Sequence, residues 1–80
     1  MNERTVMVAK SFDARQVAFF VQTASKFASK IIVSADSKTV NAKSIMGIIS
    51  LGIGQGQKIK ITAEGDDSAK AVEEITSLLA

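Results

Sequence analysis

The eighty residues contain no histidine, no cysteine and no proline. Without histidine the chain lacks the commonest general base, the usual nitrogen ligand for a metal and any imidazole that could carry a phosphoryl group. Without cysteine there is no disulfide, no thiol nucleophile and no sulfur-held metal. Without proline no rigid turn or linker is specified. The net charge is +2, from ten Lys and Arg against eight Asp and Glu, too small and too dispersed for a nucleic-acid footprint. No apolar run approaches the ~20 residues that cross a bilayer. The first ten residues, MNERTVMVAK, place charges at Glu3, Arg4 and Lys10 around a short apolar run, with no signal-peptide core and no cleavage site of small residues. The expectation is a cytoplasmic protein with no direct nucleic-acid or membrane partner, no cofactor and no metal.

What is present is a hydrophobic content of 46% with 22% charged residues, which is globular in character, and enough chain for one domain over residues 1–80. Thr5 to Ala9 alternates around Val6 and Val8 and reads as a first strand, followed by a loop from Lys10 to Phe12. Asp13 opens a helix whose stripe is Val17, Phe20, Val21, Ala24, Phe27 and Ala28, with Phe19 on the far side. Lys30 to Ala35 and Lys38 to Val40 form a hairpin around Asp36 and Ser37, and Asn41 to Lys43 lead to a short apolar helix capped by Ser44. Gly52, Gly54 and Gly56 end it. Gln57 to Ala63 alternates Ile59, Ile61 and Ala63 against Lys58, Lys60 and Thr62. After Gly65, Asp66 and Asp67 start a last helix with the stripe Val72, Ile75, Leu78 and Leu79. The order β-α-β-β-α-β-α, with helices on one face of an antiparallel sheet, is α+β.

Most searches for chemistry end in structural readings. GIGQG at 52–56 is followed by a strand and by no Lys-Ser/Thr pair, so it is a helix stop and not a phosphate loop. Asp66, Asp67, Glu73 and Glu74 are explained as caps and a solvated face before they are explained as a cation cluster. Two helix starts carry more. Asp13 stands beside Arg15, whose guanidinium can pair with it or with a partner's anion; Ser44 follows Lys43. N-capping explains both on local chemistry, at about 1 kcal/mol each. The short helix, however, cannot bury all its apolar side chains against one sheet, and Ile45, Met46 and Ile49 are expected in solvent as a binding patch. A phosphate on Ser44, favoured by the free amides there, would place about two negative charges at the edge of that patch.

These residues resemble the HPr family, the small phosphocarriers of the bacterial sugar phosphotransferase system. The resemblance runs along nearly the whole chain and is strongest in VQTASKF, from Val21 to Phe27, and in KTVNAKSIMGIISLGI, from Lys38 to Ile53, which is similar to the regulatory-serine segment of Gram-positive members. It implies an open-faced sandwich with a four-stranded antiparallel sheet in the order 1-4-2-3 and three helices on one face. In the family, a histidine within Gly-Ile/Leu-His-Ala-Arg-Pro takes phosphate from phosphoenolpyruvate through enzyme I. Here the matching stretch is Ser11-Phe12-Asp13-Ala14-Arg15-Gln16: Ala and Arg remain, the histidine position is Asp13, and the loop before it is about two residues shorter.

The histidine-less, Crh-like branch of the family fits better, although its members carry glutamine where this chain has Asp13. That resemblance implies a non-enzymatic phosphoprotein of carbon catabolite control. HPr kinase/phosphorylase would phosphorylate Ser44, and a LacI-type regulator would then bind through Ile45, Met46 and Ile49, with Arg15 and Lys43 as phosphate or partner contacts. Enzyme I and permease components would bind without productive transfer. Two alternatives stand beside this one: a phosphocarrier that uses Asp13, and an unmodified binding module. The first strand is expected at a sheet edge, and the short loop after it invites strand exchange into a swapped homodimer.

Overall fold

Alternation along one strand places the core. In the computed structural model, which describes residues 1–80, Ile59, Ile61 and Ala63 of the strand Lys58–Glu64 are buried while Lys58 and Lys60 stay in water. That strand, β4, lies inside the sheet. It pairs antiparallel with β1 (Asn2–Met7) on one side and with β2 (Lys30–Ala35) on the other, and β3 (Lys38–Asn41) completes the order β1-β4-β2-β3. Directly opposed residues share a face, so Val6 opposite Ile59, Val33 opposite Ile61 and Ile31 opposite Ala63 form the apolar side.

Helices α1 (Ala14–Ser25), α2 (Ile45–Leu51) and α3 (Ser68–Leu79) cover that side. Each brings the stripe that its periodicity predicts: Val17, Phe20, Val21 and Ala24 from α1, Ile48 and Leu51 from α2, and Val72, Ile75 and Leu79 from α3, with Leu78 packed against the cluster at its margin. Phe20 is closed over by Phe12, edge to face at 5.7 Å. Gly52 ends α2 in the left-handed conformation at φ 67°, which a residue with a Cβ adopts only at a cost. The predicted α+β open-faced sandwich is therefore the observed one, and β1 is an edge strand.

Several boundaries differ from the periodicity, for identifiable reasons. The first strand runs Asn2–Met7 and not Thr5 to Ala9. Val8 has left the ladder, although its amide donates to the Gln57 carbonyl (2.9 Å) and its carbonyl accepts from Gly56 (2.7 Å); Ala9 turns away to donate to Leu79 (2.8 Å). β3 extends to Asn41, which pairs with Ile32, and β4 is displaced by one residue because Glu64 pairs with Lys30. Phe27 and Ala28 do not belong to the α1 stripe. The helix stops at Ser25; Phe27 is buried beyond its end, and Ala28 is exposed.

Asp67 also departs from expectation. It occupies the position before α3 but makes no side-chain cap there. Its carboxylate instead accepts the amides of Ala28 (2.9 Å) and Ser29 (3.0 Å) and the Ser29 hydroxyl. Those bonds, the hydroxyl foremost and then the Ala28 amide, hold the carboxyl below its ordinary value, because each favours the charged form.

Candidate functional site

The two helix starts singled out by the sequence flank one groove. Asp13 has extended backbone, and its Oδ1 accepts from the Gln16 amide at 3.1 Å while its carbonyl accepts from Val17 at 2.9 Å. It thus caps α1, satisfying a donor that the helix cannot. Its carboxylate is exposed on the wall of an apolar groove of about 490 Å³ that runs between α1 and α2, lined by Phe12, Asp13 and Val17 on one side and Ile45, Ile48 and Ile49 on the other. Asp13 is the one charged residue in the lining.

Ser44 caps α2 in the same way. Its Oγ accepts from the Gly47 amide at 3.1 Å and its carbonyl from Ile48 at 3.0 Å. The approach is fixed one residue earlier, where the Asn41 side chain accepts the Lys43 amide at 2.8 Å. Gly47 lets the turn sit close: a Cβ there would stand 3.2 Å from that of Val40 and 3.3 Å from Ser44 Oγ. Ser44 is half-buried, and beyond it Ile45, Met46 and Ile49 are 49%, 75% and 56% exposed, as their crowding on a short helix requires.

The predicted residues are therefore partly assembled. Asp13 is brought together with Ile45 and Ile49 in the groove, while Ser44 and Met46 lie outside its lining. Arg15 is exposed and makes no ion pair, with Asp13 or with any other group. Lys43, expected as a phosphate or partner contact, is half-buried, and its Nζ donates to the Phe27 carbonyl at 2.7 Å. Sequence reasoning missed that bond, since nothing local connects residues sixteen apart across a hairpin. No three His, Cys, Asp or Glu side chains converge as metal ligands, and no helix is long and apolar enough to cross a membrane.

Residues 2–80 match the family model described as the PTS HPr component phosphorylation site. The HPr-like protein Crh of Halalkalibacterium halodurans is 43% identical over 74 residues, covering 92% of this chain and 88% of that protein. Among solved structures, the phosphocarrier protein HPr of Bacillus anthracis superposes with a TM-score of 0.96 at 44% identity, over 99% of this chain and 96% of that one. Crh of Bacillus subtilis, a catabolite repression protein that forms an intertwined dimer with a swapped domain, gives 0.80 at 38% identity, over 92% and 85%.

Proposed function

Because the chain belongs to the HPr family of the phosphotransferase system, we propose that it is a regulatory phosphoprotein switched at Ser44 and not a histidine phosphocarrier. Its general place is that of a non-catalytic HPr/Crh-like protein of the phosphotransferase system and carbon catabolite control. The observation that carries the finer reading is a contrast between the two helix starts. At α1 the family's phospho-accepting position holds Asp13, and no histidine exists elsewhere in the chain; at α2 a serine hydroxyl stands beside three exposed apolar side chains.

In the proposed switch, HPr kinase/phosphorylase transfers the γ-phosphoryl group of ATP to Ser44 Oγ. The new P–O bond replaces the one to ADP, which leaves, and the hydroxyl proton passes to the kinase's base. The group brings about 1.5 to 2 negative charges to the edge of the Ile45, Met46 and Ile49 patch. A LacI-type regulator would then meet an apolar surface with an anion at its rim, a combination that gives both contact area and charge selection. The unpaired Arg15 guanidinium supplies a further contact. The same reading makes the protein cytoplasmic.

Dimer formation belongs to the same proposal. β1 is paired on one side only, four of its six residues are exposed, and the relative from Bacillus subtilis exchanges a domain. Exchange of β1 about the loop from Lys10 to Phe12 would remake the β1–β4 ladder between protomers.

Incubation with HPr kinase/phosphorylase and ATP, followed by intact-mass measurement, tests the switch. One added phosphate that Ser44→Ala abolishes is the expected result, and an unchanged mass would reject it.

A further inference from the structure

We infer, resting on the reading that Ser44 takes a phosphate, that Lys43 is a latch through which that phosphate is registered at the far end of α1. The Nζ of Lys43 donates to the carbonyl of Phe27 at 2.7 Å. Phe27 lies two residues past the end of α1 and one past its cap, Lys26. Its carbonyl lies just beyond the helix, at the negative end of the helix dipole, so an ammonium is a suitable partner for it. The bond ties the start of α2 to the end of α1.

The tie is made to a neutral acceptor only. The ion pairs of the molecule are Lys26 with Glu74 (3.2 Å) and Lys60 with Glu3 (3.6 Å), and Lys43 has no carboxylate partner. A phosphate on the neighbouring residue would be the first anion offered to it. Both bonds are charge-assisted from the ammonium side, but only the phosphate adds an attraction between opposite full charges, and the lysine stem is long and flexible enough to swing between the two acceptors. The phosphorylated protein therefore draws Lys43 away from Phe27.

The consequence is local. The Phe27 amide is held to Ala24 by a long bond of 3.3 Å, whereas the next two amides, of Ala28 and Ser29, are fixed by Asp67. Release of the carbonyl accordingly loosens the turn at Lys26 and Phe27 and stops at Ala28. The modified and unmodified proteins then differ at two places, the patch on α2 and the turn that follows α1, and a partner that touches the second reads the state of the first.

The test uses the full chain labelled with ¹³C and ¹⁵N. In the unmodified protein the coupling across the hydrogen bond from Lys43 Nζ to the Phe27 carbonyl carbon should be measurable. Phosphorylation should abolish it and move that carbon's shift to the position seen in Lys43→Met. A phosphate confirmed by mass with both signals unchanged overturns the latch. Ser44→Asp, which retains an N-cap and needs no kinase, should displace the Phe27 carbonyl in the same direction, and the double variant with Lys43→Met should erase that displacement. If the kinase adds no phosphate, the switch at Ser44 falls, while the Ser44→Asp pair still decides the latch: an unmoved Phe27 carbonyl overturns it.

Discussion

The Asp67 carboxylate accepts both the amide and the hydroxyl of Ser29, so the start of α3 is fastened to the residue that leads into β2 and not to its own first turn. Because these bonds favour the ionised form, the folded-state pKa is lowered from 3.8. A lowered pKa stabilises the fold above the unfolded value and ceases to do so as pH falls through the folded one. Urea unfolding should therefore show wild type more stable than Asp67→Ala at neutral pH. The gap should close on acidification below about pH 4; a gap that persisted through that range would show that packing and not charge carries the difference.

Gly65 is part of the same joint. Its φ is +147°, and an added Cβ would lie 2.6 Å from Ser29 Oγ and 2.8 Å from Ser29 Cα. Neither the backbone conformation nor the space admits a side chain. Gly65→Ala should destabilise the protein by about 1–3 kcal/mol, read as a lower urea midpoint at unchanged m-value. It should also combine non-additively with Ser29→Ala, which removes the nearer of the two atoms it strikes.

How much of this was legible in the sequence depends on how local its cause is. Lys30–Ala35 was readable to the residue because a run of Ile and Val ends on the turn formers Asp36 and Ser37. Asp13 and Ser44 were readable as caps because a cap's donor lies three residues ahead. Asp67 offered the same local pattern and behaves otherwise, since its donors are 38 and 39 residues away in sequence. Ala28 continued a helical spacing after the helix had ended, and Lys43 looked like a free cation until the fold brought Phe27 to it. In each of these three cases the deciding partner is tertiary, and no window of sequence contains it.

The exposed patch separates binding from stability. Met46 and Ile49 are 75% and 56% exposed and outside the core, so Met46→Gln and Ile49→Gln should each change stability by no more than about 0.5 kcal/mol. Both should leave Ser44 phosphorylation intact while weakening the regulator's binding of the phosphorylated form by about tenfold or more, the loss expected when an apolar anchor is removed from the centre of an interface. Calorimetric titration of the phosphorylated variants against the regulator measures this. Undiminished affinity in both would move the docking surface off α2.

Strand exchange is a statement about concentration. Light scattering should detect a dimer whose fraction rises with protein concentration and whose interconversion is slow, because β1 must leave β4 before it can pair elsewhere. The hydrogen-bonded β1–β4 ladder is the same within and between protomers, so the two forms should have near-identical amide spectra except in the loop from Lys10 to Phe12. A molecule that stays monomeric over the whole accessible range would refute exchange.

Asp13 presents two roles that one pair of substitutions divides. As a cap it accepts the Gln16 amide; as a charge it stands alone in the lining of an apolar groove. Asn caps about as well as Asp, and Ala does not. Asp13→Asn should thus hold stability within a few tenths of a kcal/mol of wild type, and Asp13→Ala should lose about 1 kcal/mol. If the charge matters to docking, both variants should shift the regulator's on-rate and its salt dependence equally, since both remove it and neither touches the apolar lining. Equal stability loss in the two would deny the cap, and unaltered association in both would leave the aspartate as a cap alone. With enzyme I and phosphoenolpyruvate, the wild-type protein should gain no acid- or base-labile phosphate, since no converging set of carboxylates holds a metal to assist an acyl phosphate.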